Sequence, residues 1–240
     1  MQKVKLISYS QAPENWFRDI EGVKRPKSLQ DMIAYAARVS NPANQNNDET
    51  AEKLIRYLVK NKHWSPLEMV SACLEIETSR DIARQILRHR SFSFQEFSQR
   101  YADPIKELEF TTRECRLQDT KNRQNSIEIE SDPSIMENKK YQDLLAEWSR
   151  RQAGVINRAK EVYSWAIENG IAKEQARAVL PEGLTMSRMY MNGTLRSWVH
   201  YIELRSANGT QKEHRQIAEM CAVEIAKIFP MMKEFVGSET

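Results

Sequence analysis

MVSACLEIETSRDIARQILRHR, residues 69–90, changes its rule of construction halfway along. MVSACLEIE reads as a strand. TSRDIARQILRHR reads as a helix opened by Thr78, with Asp81 three residues on in a capping-box-like start. In that helix Ile82, Ala83, Ile86 and Leu87 form the stripe to be buried, so the three- and four-residue spacings gather Gln85, Arg88 and His89 on a different side. Working back towards the N-terminus, SLQDMIAYAARVS and DETAEKLIRYLVKN read as amphipathic helices, the second with Ala51, Leu54, Ile55, Leu58 and Val59 on one face. KVKLISYS alternates like a half-buried opening strand, followed by a polar loop. Working forward, Gln118 to Met136 is polar and contains Pro133, a surface excursion. A helical pattern then runs from about Glu137 to a stop at Gly170. A short helix ends at AVLP, LTMSRMYMN reads as a strand, and GTLRSWVHYIELR and QKEHRQIAEMCAVEIAKIF read as helices, the last with Ile217, Cys221, Ile225 and Ile228 inward. The expectation is an α+β fold, a sheet flanked by helices in a single mixed domain over residues 1–240.

The 36 basic and 33 acidic residues leave a formal charge of only +3, with the signs interleaved along the chain. A general nucleic-acid binder needs many uncompensated phosphate contacts, so that class is disfavoured. Cys73, Cys115 and Cys221 are an odd number without metal-like spacing, which argues against a disulfide framework and against a zinc or other metal site, and points to the cytoplasm. The N-terminus has no sustained apolar run and no later segment has the length of a membrane span, so a soluble, unprocessed chain is expected.

RHRSFSFQEFSQRY, residues 88–101, is too polar for a core segment and too aromatic for a plain loop. If the chain after Gln95 is extended, alternation puts Glu96, Ser98 and Arg100 on one face and Phe97, Gln99 and Tyr101 on the other. Arginines beside amides and hydroxyls suit a phosphate and a flat heterocycle, because a guanidinium donates in a fixed fork and also stacks on rings. A plainer reading stands beside this one: basic residues at a helix C-terminus complement its dipole, and a polar strand face is simply wet. His63 in HWSP is by default a turn or capping residue, and Arg177 and Arg205 are by default cations at helix ends. Cys73 and Cys221 fall in patterns typical of inert core thiols.

Taken together these segments resemble the flavin-dependent thymidylate synthases. The family signature is Arg-His-Arg, seven residues, then Ser, and here it reads Arg88, His89, Arg90 and Ser98, continuing to Arg100-Tyr101. AARVS (36–40), HWSPLE (63–68), ARQILRHR (83–90), ARAVLP (176–181) and LRSWVHYIELR (195–205) extend the likeness in the family's order. Met69 departs from the histidine of many members, and His200 from the asparagine of some. The resemblance implies reductive methylation of dUMP to dTMP, with methylenetetrahydrofolate as carbon donor, NADPH as reductant and bound FAD between them. It implies dUMP contacts at Gln85, Arg88, Glu96, Ser98, Gln99, Arg100, Arg177 and Arg205, with Arg205 catalytic through the uracil edge. FAD falls to Ser65, Arg88, His89, Arg90, Glu96, Thr194, Arg196 and His200, with His63 close by. It also implies a homotetramer whose sites are shared between subunits: Gln85, Arg88 and Arg177 from one, Ser98, Arg100 and Arg205 from its neighbour. Ser98 reads as a hydrogen-bond donor, since no His-Asp pair is evident to activate it.

Two other functions compete. A non-catalytic RNA-binding module would use the arginines and phenylalanines as a stacking platform, and requires a contiguous basic stripe. A flavoprotein reductase would oxidise NADPH without methylating anything.

Overall fold

The junction inside residues 69–90 is also the centre of the structure, because the strand before it and the helix after it both pack into the main core. The computed structural model describes residues 2–13, 28–129 and 133–236. The first elements are β1 (Lys3–Tyr9), α1 (Leu29–Ala37), α2 (Ala51–Lys60), β2 (Ser71–Ser79), α3 (Arg80–Ile86) and β3 (Ser93–Glu96). Then come α4 (Pro104–Glu107), β4 (Arg116–Gln118), β5 (Ser126–Glu128), α5 (Pro133–Met136), α6 (Lys139–Glu168) and α7 (Lys173–Ala176). The chain continues with β6 (Met186–Thr194), α8 (Leu195–Ser206) and α9 (Lys212–Ala226).

The main sheet has the order β1-β2-β6-β3 and every neighbouring pair is antiparallel. Leu74 sits opposite Met191 and Ile76 opposite Met189, and all four are fully buried. The alternate residues stand on the other face, where Arg188 pairs with Glu77 at 2.5 Å and Tyr190 donates to Glu75 at 2.8 Å. A one-residue slip would exchange these faces, so one-sided burial fixes the register. α8 and α9 supply much of the apolar cover; buried Trp198 of α8 donates its indole N–H to the Ala72 carbonyl of β2 at 3.0 Å. Ile33 of α1 and Ile55 of α2 complete that core.

Gly193 is where β6 passes Phe92, and a Cβ there would lie 2.4 Å from the ring. Phe92 cannot give way freely, since it is packed edge-on against Trp198 at 4.8 Å. Gly193→Ala is therefore expected to cost about 1–3 kcal/mol of stability, the usual cost of overpacking a core, and so to lower the urea midpoint. An unchanged midpoint would show that the ring moves aside.

The α+β expectation stands, with specific corrections. The helix predicted over residues 78–90 starts at Arg80 and ends at Ile86, with Ser79 at its N-cap position. Thr78 is the buried penultimate residue of β2, paired with Ser187, so the opener was placed one residue early. The extended continuation after Gln95 stops at Glu96; Tyr101 and Ala102 both return backbone N–H groups to the Ser98 carbonyl, forming a turn. Gln99 is consequently buried while Tyr101 is exposed, so the predicted alternation fails there. The polar excursion begins on the last residue of β4 and includes β5, the two forming a hairpin that starts at Arg116; its residues 130–132, and residues 14–27 of the polar loop after β1, lie outside the described residues. Gly170, at φ 77°, terminates the long helix as expected. Among the described residues no helix is long and apolar enough to cross a membrane, and no cluster of His, Cys, Asp and Glu is placed to hold a metal ion.

Candidate active site

Past the end of α3 the backbone turns tightly, with N–H groups of Arg88, His89 and Phe92 reaching the carbonyls of Gln85, Ile86 and His89. The turn throws Arg88 and Arg90 outward and His89 inward. The His89 ring stands edge-on to Tyr201 of α8 at 4.9 Å, and its Nε2 accepts from Arg205 Nε at 2.9 Å. Burial, reinforced by the Arg205 charge, lowers the His89 pKa to about 4. His89 is thus a neutral acceptor at ordinary pH, protonated on Nδ1. Arg205 is held through Nε, and its two terminal nitrogens make no hydrogen bond or ion pair among the described residues.

Behind this pair lies His214 of α9, fully buried. Its Nε2 is 3.2 Å from the Tyr201 hydroxyl and its Nδ1 3.2 Å from Gln85 Oε1. Burial, with the charge of Arg205 next and then His89, pushes its pKa to about 3. A histidine whose folded pKa is below its unfolded value of about 6.5 stabilises the fold above that pH, because only the unfolded chain takes up the proton as pH falls. Stability should therefore decline from about pH 6.5 towards pH 4, with His214 contributing on the order of 2 kcal/mol of the loss. Urea midpoints against pH for wild type and His214→Gln check this; equal slopes in that window would discount His214.

A second group forms around β3. The Glu96 carboxylate accepts from Ser187 at 2.8 Å and Arg84 at 3.2 Å, with Arg80 at 3.8 Å. In the turn beyond it, Ser98 Oγ accepts from the Arg100 backbone N–H at 3.3 Å. Arg100 reaches Glu174 at 3.1 Å, and Lys173 donates to the Tyr101 carbonyl at 2.9 Å, so this turn is tied to α7, which Arg177 directly follows. Gln99 Nε2 is buried with no hydrogen-bond partner. A third group surrounds the start of α8: Thr194 caps the helix through the Ser197 N–H, Arg196 pairs with Glu68, and His200 lies 4.4 Å from Trp64 ring to ring. Burial first, then the Arg196 charge, lowers the His200 pKa. Ser65 opens the 3-10 turn that carries Glu68, while His63 is exposed, its ring edge 6.3 Å from Tyr57.

Three neighbourhoods thus hold most of the predicted residues: Gln85 with His89 and Arg205, the Glu96-to-Arg100 stretch beside α7, and Ser65 with Thr194, Arg196 and His200, whereas no side-chain hydrogen bond, ion pair or ring contact among the described residues joins Arg88, Arg90, Arg177 or His63 to any of them. Gln85 and Arg205 meet through His214 and His89 within one chain, although the resemblance divides them between subunits. Tyr201, His214, Gln211 and Glu213 were missed. His214 lies three residues before the apolar position Ile217, and Tyr201 four before Arg205, so helical spacing carries a signal for both. The set suits an anionic dinucleotide: Arg88 and Arg90 are exposed and form no ion pair among the described residues, and the Trp64-His200 pair offers ring faces.

Comparison with known proteins bears on the chain as a whole. A sequence model of the family described as "Thymidylate synthase complementing protein" matches residues 23–231. A probable flavin-dependent thymidylate synthase of Paramecium bursaria Chlorella virus 1 is 46% identical over 211 residues, covering 88% of this chain and 90% of its own. The flavin-dependent thymidylate synthase of Synechocystis sp. is 46% identical over 206 residues, covering 85% and 88%. In three dimensions the chain is similar to the UMP/dUMP methylase PolB of Streptomyces cacaoi, solved with 5-Br dUMP. The TM-score is 0.74 and the identity 23%, with 98% of this chain and 94% of that one covered, a likeness of fold. With His89 of the signature bonded to Arg205 of α8, and with relatives of this identity along nearly the whole chain, the protein belongs to the flavin-dependent thymidylate synthase family.

Proposed function

We propose that this chain, folded as one domain, methylates dUMP to dTMP with methylenetetrahydrofolate as carbon donor, NADPH as reductant and FAD as the bound flavin. The observation that carries the reading is Arg205, held through Nε by a neutral histidine and with both terminal nitrogens uncommitted among the described residues. Such a fork is preset for two parallel hydrogen bonds to a ligand edge. A uracil ring carbon is too poor a nucleophile to attack the folate methylene unaided. When bound, the flavin supplies a hydride donor for the ring. Arg205 then stabilises negative charge developing on the uracil, which is the largest single contribution a fixed cation can make.

Gln85, Arg88, Glu96, Ser98, Gln99, Arg100 and Arg177 are the remaining dUMP contacts in this reading. Gln99 contributes a buried amide N–H that has no hydrogen-bond partner among the described residues. His63, Ser65, Arg88, His89, Arg90, Glu96, Thr194, Arg196 and His200 form the FAD set. Arg100 and Arg196 have acid partners in Glu174 and Glu68, but these pairs are exposed and contribute about 0–1 kcal/mol, so a phosphate displaces them at little cost. Glu96 is already engaged by serine and arginine and holds the wall in place, keeping lone pairs for a ligand. The assembly is a homotetramer with shared sites, in a cytoplasm that keeps the free thiols reduced.

No thiol is placed to act as a nucleophile. Burial raises the pKa of Cys73 and Cys115, the latter with help from Glu114, and sends fully buried Cys221 far up. The thiolate, the reactive form, is therefore suppressed at all three. Joint replacement of Cys73, Cys115 and Cys221 by serine should keep dTMP formation within about threefold of wild type, since only packing is altered. A folded, flavin-loaded variant without turnover would restore covalent thiol catalysis. The function itself is tested by incubating the purified protein with dUMP, methylenetetrahydrofolate and NADPH and quantifying dTMP by mass spectrometry. Flavin absorbance with dTMP is expected; NADPH oxidation without dTMP would establish the reductase instead.

A further inference from the structure

The polar chain behind Arg205 has a direction, and one carboxylate dictates it. Glu213, in the first turn of α9, accepts from Arg116 at 2.5 Å, lies 3.5 Å from Arg113, and takes Gln211 Nε2 at 2.9 Å. Burial works against its charge, but the Arg116 hydrogen bond and the two arginine charges outweigh it and hold the carboxyl below its usual range. An ionised carboxylate only accepts, so Gln211 must turn its NH2 towards Glu213 and its carbonyl oxygen towards Gln85. Gln85 must then donate, and its Nε2 is 2.9 Å from Gln211 Oε1. That leaves Gln85 Oε1 facing His214 Nδ1 at 3.2 Å, which requires the proton on Nδ1. The neutral ring is left with a bare Nε2, which takes the Tyr201 hydroxyl at 3.2 Å. In the reversed direction the Gln211 carbonyl oxygen would face the Glu213 carboxylate, acceptor against acceptor.

We propose that Glu213, acting through Gln211, is a positioning residue that makes Gln85 present an N–H, and not a carbonyl oxygen, to an acceptor atom of the nucleotide. The inference rests on the reading of Gln85 as a dUMP contact. One amide hydrogen of Gln85 goes to Gln211; the second has no partner among the described residues and is the one presented. Glu213 and Gln211 never touch the ligand in this scheme. They decide which end of the Gln85 amide it meets, and a site built for one polarity rejects the other strongly.

The test uses flavin-loaded protein labelled with 15N-histidine, the His214 signal being the one lost in His214→Gln. Wild type should show the Nδ1–H tautomer. Glu213→Gln permits either direction, so His214 should become a tautomer mixture and KM for dUMP should rise roughly fivefold or more, with kcat within about twofold and flavin content unchanged. Gln211→Met cuts the link while leaving Glu213 on its arginines, and should give the same result if Glu213→Gln does not fold. The exchange Gln211→Glu with Glu213→Gln moves the carboxylate one step along the chain, still facing the Gln85 NH2, and should restore both tautomer and KM. An unchanged tautomer in folded Glu213→Gln and Gln211→Met, with Gln85→Leu still raising KM for dUMP, overturns the inference and leaves Gln85 as a contact. A shifted tautomer with wild-type KM in all these variants, Gln85→Leu included, removes Gln85 from the nucleotide site and the inference with it.

Discussion

Arg205→Lys should lower the single-turnover rate of dTMP formation by about 10²–10³-fold, the usual cost of losing a preorganised donor to developing charge. Flavin content and unfolding midpoint should stay at wild-type values. Lysine keeps the charge but is a point donor on a flexible stem, whereas the arginine plane is held by Nε against His89 Nε2 at 2.9 Å while both terminal nitrogens have no partner among the described residues. One ammonium cannot hold that plane and address the nucleotide with two parallel donors. Because the His89 pKa is lowered to about 4, the acceptor is intact across the neutral range, and the Arg205 orientation should be lost only as pH falls towards that value and the ring takes up a proton. A wild-type rate in a folded, flavin-loaded Arg205→Lys protein would remove Arg205 from the chemistry and leave it a helix-end cation.

The fold was legible where a single periodicity governed a long segment. β2 and β6 alternate cleanly because one face packs on α8 and α9 while the other carries Glu75, Glu77, Arg188 and Tyr190. α2 shows its apolar face for the same reason. Legibility failed where a tertiary contact overrides the local pattern. After Glu96 the polar-apolar alternation invites a strand, but β3 runs only four residues beside β6, and the chain then turns on the Ser98 carbonyl. The β4-β5 hairpin was invisible for a related reason. Each strand is three residues, and Arg116 is fixed by Glu213 of α9, nearly a hundred positions away in sequence.

At the site, the sequence named the residues through a motif and spacing placed few of them. The helix reading put Gln85, Arg88 and His89 on one side; Gln85 and His89 do face the same buried polar cluster, but Arg88 is exposed and takes no part in it. It could not show that His89 turns in while its arginine neighbours turn out, because the tight turn after Ile86 separates them. Nor could it show Gln211 and Glu213, whose importance lies in which atoms donate. Donor direction is a property of the assembled network and has no local signature in the chain.

That same assembly makes the quaternary prediction the sharpest one. Within a chain, Arg205 is bonded to His89, while Arg177 directly follows α7, whose Glu174 pairs with Arg100. The resemblance implies that a dUMP site using both takes them from two copies. The exposed apolar residues Leu144, Trp148 and Val155 of α6 suit burial between copies. In an isologous interface each of two sites then takes Arg177 from one subunit and Arg205 from the other. Between Arg177→Ala and Arg205→Ala subunits, one site collects both lesions and its symmetry mate collects neither. Each variant alone should be nearly inactive, whereas co-expressed hybrids should recover roughly a quarter of wild-type dTMP synthesis, the share expected when random pairing regenerates one intact site in each mixed pair. Native mass spectrometry identifies the hybrids. If they form and activity stays at the level of the separate variants, each arginine acts within its own chain. The split then follows the in-chain neighbourhoods, with Gln85 and Arg205 serving one ligand and Arg100 and Arg177 another.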